Sequence, residues 1–287
     1  MSREVTEVMI RKVQQANLKI LLEVDRICKK HNIKYLMDAG TLIGAVRHKG
    51  FIPWDDDVDL AFPREDYEKF LAVAKDELPD GIELYRPSDI GGGKAFFDFT
   101  PKLVYMNSRK HFETEESNYY DNIPNKICVD LFVLDEITEK PLVRKLHILK
   151  MYVIYGMAMG HRYSLDYSKY KGIQKLQVMV LATLGKMFSM KTIYKMERKA
   201  ATRYNGSGSE LLYWSNYEPG YTHMTVPKSG SYNTMEMEFE GHMLSAPVNY
   251  DGVLKVVYGD YMTLPPEEKR VPKHGECDES AGFFVEV

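Results

Sequence analysis

The stretch from Gly40 to Asp59, GTLIGAVRHKGFIPWDDDVD, constrains this chain more than any other feature. It ends in four carboxylates, Asp55, Asp56, Asp57 and Asp59, directly after Pro53 and Trp54. The run continues as VDLAF, which predicts a short strand whose side chains alternate between two faces. Asp57 and Asp59 would then point one way, with Val58, Leu60 and Phe62 turned to a core. Two like charges about 5 Å apart repel by roughly 3 kcal/mol at an effective dielectric of about 20, so a strand gains no stability from them. A hard divalent cation cancels the repulsion, and ligands that are all oxygen suit Mg²⁺ or Mn²⁺ better than zinc. Bare acidic runs are usually solvated loops, but here apolar residues interleave with the acids. Upstream, the order reads as a strand (33–38), a Gly40-Thr41 turn, a short helix (42–47), a loop and the acid-bearing strand. Gly40 lets backbone approach a ligand closely, and the amides opening the next helix suit phosphate oxygens.

A second acid stands out in KICVDLFVL, where Asp130 interrupts an otherwise apolar predicted strand (127–134). A buried, unpaired carboxylate is costly, so either a ligand or a hydrogen-bonding or ionic partner must compensate it. Lys102 is likewise a single positive charge within the predicted strand 96–106. It reads either as protection of a sheet edge or as a phosphate contact in the same cleft.

Residues 35–62 resemble the signature of LicD-type proteins, the bacterial phosphocholine transferases related to the fukutin group. The resemblance returns in CVDLFVLD (128–135) and in APVNYDGVLKVVYGDYMTLPPEEKR (246–270), which holds Tyr258, Asp260 and Tyr261. It implies a nucleotidyltransferase-like α/β (α+β) fold, a mixed sheet flanked by helices. It also implies metal-dependent transfer of a phospho-substituent from a nucleotide-activated donor. On that pattern Gly40 and Thr41 form the phosphate turn, Asp57 and Asp59 are the paired metal carboxylates, and Asp130 is the third. Asp55 binds metal or orients a ligand, and either Asp55 or Asp130 takes a proton from the acceptor. Arg47 steadies phosphate oxygens or is merely a surface arginine; Trp54 is as readily a packing residue. The implied reaction uses Mg²⁺ or Mn²⁺ and CDP-choline. It places phosphocholine on a hydroxyl of a cell-surface glycan (lipopolysaccharide or a teichoic-type, lipid-linked polymer) and releases CMP. Alternatives keep the fold but move ribitol-phosphate or a nucleotidyl group, or keep it only as a non-catalytic binding protein.

At 287 residues, with 44% apolar and 28% charged side chains, the chain is long enough for one large domain or two small ones. The reading divides it into a catalytic core (1–140), a basic helical insert (141–205) and a C-terminal part (206–287) that completes the core. Residues 4–30 carry apolar side chains at three- and four-residue spacing, a long amphipathic helix, and 64–78 forms another. From Pro141 to Arg203 there are 13 Lys or Arg against Asp166 and Glu197, whereas the whole chain carries −3. Two or three amphipathic helices are expected there, either a solvated helical lid or a docking surface for an anionic acceptor or membrane face. That segment has no recognised nucleic-acid-binding motif, so no nucleic-acid partner is expected. Residues 234–247 alternate as a hairpin around Glu240-Gly241, and 249–258 reads as a short helix. Cys28, Cys128 and Cys277 are too scattered for a disulfide framework or zinc site, which favours a reducing compartment. The N-terminus has no signal-peptide core, and no stretch approaches the ~20 apolar residues of a membrane span. The expected location is cytoplasmic, either free or peripheral at the inner face of the plasma membrane.

Overall fold

The computed structural model describes residues 3–272 and 279–287, with side chains described from residue 7 onward. Cys277 lies outside the described residues. The first half runs α1 (Arg3–His31), β1 (Leu36–Met37), α2 (Ala39–His48), β2 (Val58–Pro63), α3 (Arg64–Glu77), β3 (Ile82–Tyr85), β4 (Lys102–Tyr105), β5 (Ser108–Arg109), α4 (Glu115–Tyr119) and β6 (Ile127–Glu136). The second runs α5 (Pro141–Ala158), α6 (Gly172–Gly185), α7 (Met190–Ala201), β7 (Leu211–Trp214), β8 (Val226–Pro227), α8 (Lys228–Ser231), β9 (Thr234–Phe239), β10 (His242–Pro247), α9 (Tyr250–Tyr258) and β11 (Phe284–Val285).

The main sheet has the order β1-β2-β6-β4-β3, with β7 continuing from β6 and β8 pairing β7. Only β2 and β6 run parallel; the other neighbours are antiparallel, so the sheet is mixed. This is the α+β class expected from the sequence. The apolar stripe of α1, including Val13, Ala16, Ile20, Val24 and Ile27, is buried in one large core with Leu60, Phe62, Leu131 and Val133 from β2 and β6. Phe62 meets Phe70 of α3 at 5.2 Å between ring centroids, which fixes α3 on the same core.

Two predicted strands are shorter than their sequence pattern. Only Leu36–Met37 of 33–38 pairs, and of 96–106 only Lys102–Tyr105 does. Pro101 has no N–H to give the ladder, and the Asp98 carboxylate accepts the Thr100 N–H in a tight turn, so 96–101 leaves the sheet. Moreover, β4 lies between β6 and β3. Lys102 is therefore on an interior strand, which corrects the edge-protection reading. The hairpin joins β9 to β10 with Phe239 opposite His242 across Glu240-Gly241, as the alternation predicted. The basic segment forms three helices, α5 to α7. They build a separate buried cluster with Phe96 and Phe99, among them Met151, Ile154, Met190 and Ile193.

Candidate active site at the acid loop

The backbone sets the acids first. The Asp38 N–H donates to the Asp59 carbonyl, and the Asp59 N–H donates to Thr41 Oγ1, both at 3.0 Å. Thr41 is buried, so its hydroxyl is tied to the acid-bearing strand. Between them, Ala39 opens α2 with φ 44, a left-handed conformation unusual for a residue with a Cβ. Gly40 has a physical reason of its own: a Cβ there would lie 2.6 Å from Asp55 Oδ2. The absent side chain is what lets the Asp55 carboxylate reach the start of α2.

Two buried amides on α1 hold the loop carrying these acids. Gln14 Nε2 donates to the carbonyls of Ile52 (3.2 Å) and Asp55 (3.0 Å), and Asn17 Nδ2 to that of Asp56 (3.2 Å). Asn17 Oδ1 is buried without a hydrogen-bond partner. The carboxylates of Asp55, Asp56 and Asp57 converge, with one oxygen of each within 4.8 Å of the others. Asp57 precedes β2 rather than lying on it, while Asp59 is its second residue.

Asp59 and Asp130 are register partners on the parallel strands β2 and β6. Neighbouring strands lie about 4.8 Å apart, so the topology brings these two acids together. The Asp59 carboxyl is held well above the usual carboxylate range, first by burial and then by Asp57, Asp130, Asp38 and Asp55. Asp130 is turned to Lys102, whose Nζ lies 2.6 Å from Asp130 Oδ1 and 3.1 Å from Asp98 Oδ2. Burial alone would pull the Lys102 ammonium down, but Asp130 and then Asp98 hold it well above its ordinary value. The convergent trio therefore differs from the set Asp57, Asp59 and Asp130 by including Asp55 and Asp56. Every donor in either set is a carboxylate oxygen, and this concentration of negative charge fits a hard divalent cation.

Cationic groups stand at the rim. Arg47 donates from Nη1 to the Tyr261 carbonyl at 2.8 Å, and its guanidinium is pulled down by burial, then by Arg270, against Asp55. Arg270 lies over the Trp54 ring at 5.7 Å, so Trp54 carries an arginine as well as packing on the core. On the other side, Tyr217 stacks on Tyr221 at 4.3 Å and meets Phe132 at 4.4 Å. Burial, then the Asp59 charge, pushes the hydroxyls of both Tyr217 and Tyr258 upward. His161, in the insert, hydrogen-bonds the Gly185 carbonyl.

Sequence reasoning missed Gln14, Asn17, Asp38, Asp98, Tyr217 and Arg270. Asn17 carried a signal: it stands four residues after Val13, on the apolar face of α1, where an amide needs a partner. Tyr217 carried none among 20 tyrosines.

A cavity of about 360 Å³ opens elsewhere, among Arg64, Tyr67, Arg86, Tyr194, Glu197 and Arg198. Arg64 and Asp135 pair at the far ends of β2 and β6 from Asp59 and Asp130, about 17 Å away along the strands. Glu197 Oε1 is shut off from water with no hydrogen-bond partner, although the residue as a whole is half-buried. Burial, outweighing Arg64, pushes its carboxyl up from 4.5 to about 8. The folded chain then holds a proton that the unfolded chain has released, so stability falls as pH rises from about 4.5 to about 8. Glu197→Gln removes that dependence. The variant is expected to gain about 2 kcal/mol over the parent at pH 8 and nothing near pH 4, read by urea melts at both values. An equal gain at the two pH values would show that the carboxyl is not held protonated.

Residues 32–90 match the family described as LicD/FKTN/FKRP, nucleotidyltransferase domain. The chain is 28% identical over 278 residues to the lipopolysaccharide cholinephosphotransferase LicD of Haemophilus influenzae, covering 92% of this chain and 96% of that protein. Shorter matches, 46% and 47% identical over 54 and 47 residues, are to uncharacterized proteins of Rickettsia typhi and Rickettsia prowazekii. These cover 19% and 16% of this chain, and 18% of each relative. The start of α2, the acid loop and β2 with Asp59 all lie within the residues that match this nucleotidyltransferase domain, and the likeness to LicD extends along nearly the whole chain.

Proposed function

We propose that this protein is a metal-dependent phosphotransferase. It moves phosphocholine from CDP-choline to a hydroxyl of an anionic, lipid-linked cell-surface glycan and releases CMP. The observation that carries the reading is the convergence of Asp55, Asp56 and Asp57 beside the α2 N-terminus, with Asp59 and Asp130 paired behind them. Likeness along nearly the whole chain to a lipopolysaccharide cholinephosphotransferase supports the choice of cargo.

In this reading Asp57 and Asp59, with Asp130 from β6, hold Mg²⁺ or Mn²⁺. The bound ion supplies charge neutralisation for the departing CMP and polarises the transferred phosphate. The amides at Gly40 and Thr41 open α2 toward phosphate oxygens, and Arg47 and Arg270 add charge at the rim. Lys102 holds the Asp130 carboxylate in place. Asp55, or Asp130 once its lysine turns to phosphate, takes the acceptor proton. Tyr217 and Tyr258 offer aromatic faces to the trimethylammonium group, each contributing about 0.5 to 2 kcal/mol by cation–π attraction. The core is assigned to 1–140 completed by 206–287, with 141–205 as an insert facing the acceptor and the reaction in the cytoplasm.

Incubation with CDP-choline, CDP-ribitol and nucleoside triphosphates, each with Mg²⁺ and a lipopolysaccharide acceptor whose hydroxyl receives the transferred group, tests the reading. CMP release from CDP-choline, at least tenfold faster than from CDP-ribitol, is the expected result. Pyrophosphate from a triphosphate would move the assignment to nucleotidyl transfer. No turnover together with no nucleotide heat in calorimetry would leave a binding protein.

A further inference from the structure

Helix α5 is apolar on two sides. His147, Ile148, Met151 and Ile154 are buried against the body of the protein. Leu142, Leu146 and Leu149, one above another at helical spacing, are exposed at 73%, 61% and 56%. Helix α6 goes further: among its residues only Ala182 and Gly185 are buried. It lies flush on α5 because the contact is made by glycines. A Cβ on Gly185 would sit 1.8 Å from the Met157 carbonyl oxygen, and one on Gly160 2.2 Å from that of Ala182. So narrow a seam leaves Ile173, Leu176 and Val180 in solvent at 76%, 60% and 48%. Water-facing helix surfaces in a protein of this composition are normally polar, and exposed aliphatic stripes of this extent mark an interaction face.

The charge around these stripes indicates what covers them. Lys145, Lys150, Lys171, Lys175, Lys186 and Lys191 are all exposed on or beside the two helices. Among the described residues none of the six makes an ion pair with a carboxylate; Lys175 faces Asp166 at longer range. The remainder of the chain is acidic, so the positive charge is concentrated where the apolar side chains are bare. A stripe of aliphatic side chains bordered by long cationic ones matches a lipid interface, where the apolar stems enter the acyl boundary and the ammonium groups reach the headgroups. No described helix is long and apolar enough to cross a membrane, so the contact would lie along the surface.

We propose that the exposed faces of α5 and α6 seat this protein on an anionic phospholipid surface. This concerns a partner of the insert and rests on no assignment at the acid loop. Flotation of the full chain with phosphatidylglycerol-containing vesicles, and separately with pure phosphatidylcholine vesicles, reads it without donor or acceptor. Partition to the anionic vesicles is expected to exceed that to the neutral ones by about tenfold or more, and to weaken with salt. Two triple variants separate the contributions. Ile173→Ser with Leu176→Ser and Val180→Ser removes the α6 stripe. Lys145→Glu with Lys150→Glu and Lys175→Glu reverses the border. Each is expected to lose about tenfold in anionic partition while keeping the parent's circular dichroism. The proposal is overturned if the parent stays with the soluble fraction. It is also overturned if sedimentation velocity shows a dimer that the serine variant abolishes, because a second copy would then cover the face. Failure of CMP release in every variant and the parent alike would count against the transferase reading and leave this one standing.

Discussion

Asp57→Asn and Asp59→Asn are each expected to lower CMP release from CDP-choline by about 10³-fold or more, with the protein still folded. Asparagine keeps the shape and one acceptor oxygen of each side chain but removes the charge. The geometry makes that distinction informative. Asp59 is crowded by Asp57, Asp130, Asp38 and Asp55, so removing its charge relieves repulsion. The backbone bonds at 3.0 Å that fix residue 59, from its N–H to Thr41 and from Asp38 to its carbonyl, survive the substitution. Activity should therefore collapse while Tm holds or rises. Rates within threefold of the parent would remove the ion from these two residues. A fall in Tm with the rate would instead assign the acids to the fold. Asp56→Asn discriminates further, because Asp56 belongs to the convergent trio but not to the alternating Asp57 and Asp59 pair. A loss at Asp56 as deep as at Asp57 would place the ion in the loop rather than against β2.

What the sequence made legible is local or periodic. The α1 stripe and the β9–β10 hairpin follow from spacing and turn chemistry and formed near the expected residues, whereas Gly40 and Thr41, expected as a turn before the helix, lie within the first turn of α2, which opens at Ala39. The adjacency of Asp59 and Asp130 is a different matter. It depends on β2 and β6 being parallel neighbours with these residues in register, a non-local fact that no window of sequence carries. The resemblance implied it; periodicity did not. The same limit explains the misread strand at 96–101, where Pro101 and the Asp98 turn override aromatic and branched residues that favour strand. It also explains the silence about Gln14 and Asn17. Their amides matter because of carbonyls nearly forty positions away, at Ile52, Asp55 and Asp56. Lys102 shows the error most plainly, since a lone lysine in a strand suggests an edge until the strand order is known.

Lys102→Met is the change that separates the two remaining roles of that residue. Its side chain is 5% exposed and serves two carboxylates, Asp98 and Asp130, which are 24% and 31% exposed. Methionine preserves the stem and packing against the β4 neighbours, but leaves two acids facing each other without their cation. Breaking a buried pair from one side costs several kcal/mol. With both acids partly solvated the expected loss is about 3 kcal/mol, roughly 5 °C in Tm for a chain of this size. Asp98→Asn in the Lys102→Met background should restore a substantial part of that loss, because Asp98 is itself raised by burial and by Asp130. If Asp130 also faces a bound divalent ion, added Mg²⁺ should narrow the gap between Lys102→Met and the parent, since the ion replaces the missing charge. A Lys102→Met protein as stable as the parent, yet with KM for CDP-choline raised tenfold or more, would make the lysine a phosphate contact rather than the partner of these acids. Equal losses of stability with and without Mg²⁺ would keep it as the partner and move Asp130 out of the metal shell.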